Sequence, residues 1–388
     1  MRSISPAASR SASTSDSLSP SSGWAEAGGG PEMLRIEMLP AAQGDCLWIE
    51  YSDKNKPRRI LVDGGTSGSI KPLVDKVKSL PAGSRRLELL VVTHVDADHI
   101  AGVLKFLETP SLGLEVAEIW FNAYKHLLEK GETFGPAQGE DLSADIVAGK
   151  VPWNTKFKGG AVKVPETGPL PSKKLDGGLE LVVLGPTMEK LRILKPVWIQ
   201  ACKDAGIKPG KPSPRPRPPG LEAFGPLNVD VLADAVFKED ATEANGSSII
   251  LLLRYEGTTV LLGADGHPSV IEAGLQRLVP GNGRLKLDAY KVAHHGSQNN
   301  VNRALLSRID CSRYLFSSNG AIYHHPSREA VARVLKYGKS GNHPAELVFN
   351  YRTKYNEMWD APALRQRWDY KTTFLAGGQK GLVAFEKP

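Results

Sequence analysis

From residue 34 onward the chain reads as short apolar runs separated by turn residues. Residues 34–39, 46–51 and 59–63 have the length and alternation of β-strands, and Gly64-Gly65 ends the third. Residues 70–80 space their apolar side chains as a helix does, 87–93 form a continuous apolar run of the buried-strand kind, and 101–107 return to helical spacing. A strand over 115–121 and a helix through His126 follow, and then residues 132–173, broken by Gly and Pro, show no clear period. A strand over 179–184 closes at Gly185-Pro186, and 188–205 reads as a helix that Pro196 should kink. Further on, 247–255 and 258–262 predict a hairpin around Glu256-Gly257. Strands at 289–293 and 314–318 alternate with helices near 268–278, 300–308 and 327–337, 348–351 is another strand, and a Gly-rich hairpin over 372–385 ends the pattern. Two β-rich halves that each end in strand–helix units predict an α/β (α+β) fold with two sheets packed face to face and helices outside.

Residues 1–32 do not share this pattern. They are rich in Ser, Ala and Gly, nearly free of large apolar residues, and read as a disordered tail ahead of a domain over 33–388. They lack the apolar core of a secretory signal. The longest apolar stretch anywhere, residues 249–253, is far short of the roughly 20 residues of a membrane-spanning helix. Cys46, Cys202 and Cys311 are odd in number and far apart, which argues against a disulfide framework and for a reducing compartment, so the expected location is cytoplasmic.

The net charge of +7 hints at an anionic partner, and its location sharpens the hint. Residues 190–220 contain eight basic side chains (Lys190, Arg192, Lys195, Lys203, Lys208, Lys211, Arg215 and Arg217) and one acid, Asp204, a balance of +7 that leaves the rest of the chain neutral. Within this stretch, 208–220 reads KPGKPSPRPRPPG, which predicts an extended, polyproline-like loop.

Candidate chemistry concentrates at Thr93-His94-Val95-Asp96-Ala97-Asp98-His99. Four possible metal ligands fall within six residues, after a buried strand and before a helix, where α/β sheets place their ligand sites. A solvated loop with Asp98 as a helix cap would not account for two His and two Asp packed this tightly. His294-His295-Gly296-Ser297 follows a second strand in the same way, and His324-His325-Pro326 precedes a helix. His267 before Pro268 reads as a helix start and His343-Pro344 as a turn. Lys291 and Ser297 are placed to contact a phosphate, although a strand Lys can equally snorkel. Trp153 could line a cleft, whereas Trp120 and Trp198 read as core.

The first motif resembles the H-x-H-x-D-H loop of the metallo-β-lactamase superfamily. The likeness continues in order through Leu61-Val62-Asp63-Gly64-Gly65, Leu262-Gly263-Ala264-Asp265 and His294-His295-Gly296-Ser297. Ala42-Gln43-Gly44-Asp45, the Asn245 to Ser248 strand entry and Tyr323 to Pro326 look like the hydrolase domain of ComEC-type DNA-uptake proteins. The match runs over residues 33–340, loosely between 123 and 240, which would make that stretch an insertion containing the basic loop. The resemblance implies an αββα four-layer sandwich with a one- or two-ion metal site at one edge. It assigns His94, Asp96, Asp98, His99, Asp265 and His294 or His295 as ligands, with Asp265 bridging, and Asp63 as the residue that holds a ligand or loop in place. Asp98, the other histidine of the pair and His325 would act on the nucleophile or the leaving group.

Two departures bear on the metal. Asp96 stands where the superfamily loop has a second His, and the usual midpoint His is absent, with Asn245 as the positional substitute. Added oxygen donors lean toward Mn²⁺ or Mg²⁺ relative to an all-imidazole Zn²⁺ site, so the expected metal is Zn²⁺ or Mn²⁺, as one or two ions. The expected activity is hydrolysis by a metal-activated hydroxide, with a phosphodiester or nucleic acid as leading substrate. Another ester, a lactone or a β-lactam is the alternative within the fold. A metal-binding regulatory module without turnover is the alternative of another class.

Overall fold

The computed structural model describes residues 32–127, 137–204, 227–338, 343–375 and 381–386. The N-terminal tail and the basic loop 208–220 lie outside them. The first sheet opens with β1 (Glu32–Met38), β2 (Leu47–Asp53), β3 (Arg58–Val62), β4 (Leu89–Val92) and β5 (Ile119–Phe121). The second contains β6 (Ser172–Lys174), β7 (Glu180–Gly185), β8 (Ile250–Tyr255), β9 (Thr258–Leu262), β10 (Ala289–Lys291), β11 (Arg313–Phe316), β12 (Ala345–Phe349) and β13 (Tyr370–Phe374). The last strand, β14 (Gly381–Glu386), returns to the first sheet, whose order is β14-β1-β2-β3-β4-β5; the second runs β13-β12-β11-β10-β9-β8-β7-β6.

The two sheets pack face to face. Ile36, Ile49, Ile60 and Val91 from the first meet Leu181, Leu251, Leu253, Leu262 and Leu315 from the second in one buried cluster. The all-apolar run of β8 follows from this geometry: Leu251 and Leu253 point between the sheets, while Ile250 and Leu252 point into the outer layer. On that outer side α5 (Pro268–Leu278) and α6 (Arg328–Tyr337) bring Ile271, Leu275, Val331 and Val334 against Tyr290 and Phe316.

The outer face of the first sheet is covered by α1 (Lys71–Lys78), α2 (Ala97–Leu107), α3 (Ala137–Ala148) and α4 (Met188–Asp204), through Leu73, Val103, Leu142 and Leu194. The expected four layers, helix, sheet, sheet and helix, are therefore present.

Two expectations change. Residues 137–148, without a readable period, form α3. The closing segments do not form a hairpin: β13 pairs in parallel with β12 in the second sheet, whereas β14 pairs antiparallel with β1 in the first. Alternation reports a strand but not its partner, and here the partner is a strand more than 300 residues away. Strands β6 and β7 and helices α3 and α4, from the loosely matching stretch, supply an edge of the second sheet and part of the first outer layer.

Candidate metal centre

The site lies where loops from both sheets meet. Helix α2 begins directly after Asp96, and it can approach because two glycines face each other at its base. A Cβ on Gly102 would stand 1.9 Å from the Gly64 carbonyl oxygen, and one on Gly64 would stand 2.4 Å from Val103 N. That contact sets His99 beside Asp63, whose Oδ2 accepts from His99 Nδ1 at 2.8 Å and from Thr93 Oγ1 at 2.7 Å, while Oδ1 accepts from Thr93 N at 2.8 Å. The loop between β1 and β2 passes underneath. A Cβ on Gly44 would come within 1.7 Å of the Asp98 carbonyl oxygen, which explains the glycine ahead of Asp45.

His294 and His295 both adopt left-handed backbone angles, φ 47° and 54°, at a cost of roughly 1–2 kcal/mol each. This turn brings both rings to the Asp265 carboxylate. Asp265 Oδ2 lies 3.3 Å from His99 Nε2, 3.5 Å from His295 Nε2, 3.7 Å from His294 Nε2 and 4.0 Å from His94 Nε2. Asp96 Oδ2 is 3.7 Å from His94 Nε2 at the more exposed rim, and Asp98 groups with His99 and His295.

Each imidazole is fixed at its other nitrogen. His94 Nδ1 meets Thr93 Oγ1 at 3.0 Å, His99 Nδ1 meets Asp63, and His295 Nδ1 meets Asp45 Oδ1 at 3.1 Å and Ser317 Oγ at 3.0 Å. His294 Nδ1 faces Asn300 Oδ1 at 2.9 Å and Asp240 Oδ2 at 3.3 Å. Asp45, Asp240, Asn300 and Ser317 were not singled out by spacing as site residues. Only the Asp45 position within its glycine-containing motif offered a signal.

Among the described residues, His94 Nε2, His99 Nε2, His295 Nε2, Asp265 Oδ1 and Asn245 Oδ1 are buried without a hydrogen-bond partner. Leaving such atoms unpaired costs about 1–3 kcal/mol each, and three imidazole nitrogens together with carboxylate and amide oxygens are donors that suit a divalent cation. The cluster is thus compatible with a divalent metal.

Its electrostatics agree. Burial draws His295 down, but Asp265 and Asp45 outweigh it and raise the group to about 9. His99 is likewise raised against its burial by Asp265 and Asp63, and His94 is lowered to about 4 by burial and then by His99. Desolvation, then Asp98, pushes Asp96 up to about 6, while Asp265 is held well below the usual carboxylate range against its burial by His295 and His99. Protons gather here because anions converge, and a bound cation would displace them.

Residues 39–191 match the family model of the metallo-beta-lactamase superfamily. The matched stretch contains the His94 to His99 motif and ends before Asp265 and His294-His295. Among solved structures it is similar to the metallo-beta-lactamase fold protein YhfI from Bacillus subtilis, at 10% identity over 91% of this chain and 100% of that one, with a TM-score of 0.37. It is also similar to a mutant of the CmlA beta-hydroxylase, at 12% identity over 92% of this chain and 54% of that one, with a TM-score of 0.35. A search of curated proteins finds no match.

The remaining candidates fall around the Asp265-centred cluster in different ways. His325 is buried with its ring centroid 5.3 Å from that of His294, and the helix begins three residues later, at Arg328. Lys291 is fully buried with its ammonium on Asp45 and the Val292 carbonyl, so it does not face a phosphate from solvent. Ser297 is buried, its Oγ accepting from Asn299 N at 3.2 Å. Asn245 donates to Asp240 at 2.6 Å, which leaves Oδ1 as its possible ligand atom. His267 starts α5 and accepts Lys190 Nζ at Nδ1. Trp120 and Trp198 are core, while Trp153 is partly exposed beneath Lys125.

Proposed function

We propose that the protein is a metal-dependent hydrolase acting on phosphodiesters, with DNA or another nucleic acid as its substrate. In this reading His94, Asp96, Asp98, His99, Asp265 and His295 would hold one or two Zn²⁺ or Mn²⁺ ions, with Asn245 Oδ1 a weaker additional donor. The observation that carries it is the convergence of four imidazole Nε2 atoms on one Asp265 oxygen. His295 is preferred to His294 as ligand because its Nε2 is buried and without a partner, whereas the His294 side chain is 23% exposed.

A divalent ion held there lowers the pKa of water toward neutrality and stabilises charge developing on a phosphoryl oxygen. The surrounding residues supply the rest. Asp63 and Asp45 fix His99 and His295 with Nε2 pointing inward, as carboxylates do for metal-binding imidazoles. His294, whose pKa is raised because Asp265 and Asp240 outweigh the opposing effect of burial, turns Nε2 toward the same cluster, 3.7 Å from Asp265 Oδ2, where it would contact a substrate oxygen. In this reading His325, beside it, hands a proton to the leaving group, and Asp98 takes one from the nucleophile.

The preference for a phosphodiester is supported by the ComEC-like motif set and by the basic segment at 190–220. Purified protein with added Mn²⁺ or Zn²⁺ should cleave bis-p-nitrophenyl phosphate and single- or double-stranded DNA, and should leave a chromogenic β-lactam intact. Turnover of the β-lactam or a lactone without any phosphodiester cleavage would overturn the substrate class. Bound metal with no turnover on any of these would replace catalysis by a regulatory role.

A further inference from the structure

The imidazoles that face Asp265 differ in what holds their outer nitrogen. His94 has a neutral hydroxyl. Asp63, behind His99, is held by two neutral donors, the Thr93 amide and hydroxyl. Asp240, behind His294, is likewise surrounded by neutral donors: Asn245 Nδ2 at 2.6 Å, Thr242 Oγ1 at 2.8 Å, Thr242 N at 2.9 Å and Asn300 Nδ2 at 3.0 Å. Asp45, behind His295, is bonded by a cation: Lys291 Nζ lies 2.6 Å from Oδ2, with both residues buried. The other Asp45 oxygen takes His295 Nδ1 at 3.1 Å and the Ser317 hydroxyl.

An ammonium buried on a strand, in a site built to attract cations, is an expensive choice if the aim is only to hold Asp45. Thr93 and Thr242 show that neutral donors perform that task elsewhere in the same cluster. A lysine does something they cannot: it cancels the carboxylate charge while leaving the hydrogen bond to imidazole in place. The pair also spans the molecule, since Asp45 lies in the loop between β1 and β2 of the first sheet and Lys291 ends β10 of the second.

We propose that Lys291 is a positioning residue which, through Asp45, orients His295 and sets how strongly the His295 side of the cluster holds a divalent ion. This rests on the reading of the cluster as a metal site. The Asp63 and Asp240 carboxylates add negative charge to their histidines, whereas the Asp45–Lys291 pair adds none, so the His295 side is the less anionic one and binds a cation less tightly than an uncompensated carboxylate would allow.

The test is a double-mutant cycle read by metal binding rather than turnover. Asp45→Asn, Lys291→Met and the double variant are compared with the parent protein by calorimetric titration of the metal-free forms with Zn²⁺ and Mn²⁺, by Co²⁺ absorption spectra and by metal-free thermal melting. Asp45→Asn leaves the lysine charge uncompensated, and metal affinity should fall about tenfold or more. Lys291→Met leaves the carboxylate uncompensated, and affinity should rise. The double variant keeps an amide oxygen facing His295 at the same net charge, so affinity should return to within about threefold of the parent, with a parent-like Co²⁺ spectrum. If Lys291→Met does not fold, the other two variants still decide. Melting temperatures that fall while affinities and spectra stay unchanged would make the pair purely structural and overturn the proposal, as would a double variant as weak as Asp45→Asn. Loss of phosphodiesterase activity alone bears on the proposed reaction, whereas a parent protein that binds no divalent ion overturns both.

Discussion

Asp265 is the residue on which the site depends most. Its Oδ2 faces four imidazoles, and without its charge they would confront one another at ring separations such as the 4.2 Å between His94 and His99. Asp265→Ala should therefore lose bound metal, measured by elemental analysis of the purified protein, and retention of a full complement would remove Asp265 from the ligand set. Asp63→Ala acts one step back: freed from its 2.8 Å contact, His99 loses its fixed orientation, and metal affinity should drop about 10- to 100-fold in a calorimetric titration. The sequence exposed His94, Asp96, Asp98 and His99 because the motif packs them within six residues, whereas Asp63 and Asp265 were reached only through the resemblance to a known family. Asp45 and Asp240 were harder to find, since Asp45 meets His295 across 250 positions and Asp240 meets His294 only after the left-handed turn at His294-His295 forms. Spacing cannot register a carboxylate that arrives from the other half of the fold.

Elements place these residues through close backbone approaches. Gly102 and Gly64 let α2 settle onto the end of β3, and a methyl group there would collide with backbone rather than with a side chain that can rotate away. Gly102→Ala should cost about 1–3 kcal/mol, read as a lowered melting temperature, and an unchanged melt would show that α2 can shift without loss. Most strands and helices were legible because both faces of each sheet are covered: β4 and β8 read as continuous apolar runs, and α5 and α6 show one apolar stripe. Strand pairing was less legible. The segments around 372–385 have strand character, yet they divide between two sheets, because a local pattern carries no information about a partner on β1 or β12. Helix α3 escaped notice because Gly139 and Gly149 bracket a short stretch with a weak stripe, its burial supplied by Leu142 and Ile146.

At the scale of the molecule, the site occupies a seam. Ligand candidates His94 to His99 come from the first half and Asp265 to His295 from the second, joined by the Thr93–Ile249 backbone bond at 2.9 Å and by the Asp45–Lys291 pair. Among the described residues no helix is long and apolar enough to cross a membrane. The charge count places the whole +7 in residues 190–220, next to a neutral remainder. Lys208, Lys211, Arg215 and Arg217, outside the described residues, are expected to bind a polyanion. Neutralising all four should weaken DNA binding and flatten its salt dependence while sparing hydrolysis of a small diester. Parallel loss of both activities, or no change in either, would make the segment a connector.

The central claim, that the Asp265-centred cluster is a metal-dependent phosphodiester-cleaving site, is tested most directly by titrating metal-free protein with Mn²⁺ or Zn²⁺ while following bis-p-nitrophenyl phosphate hydrolysis, in parallel with Asp98→Ala. Turnover should rise from baseline, saturate at one or two ions per chain, and be absent from the variant. Hydrolysis that is independent of added metal, or that persists in Asp98→Ala, would contradict the account.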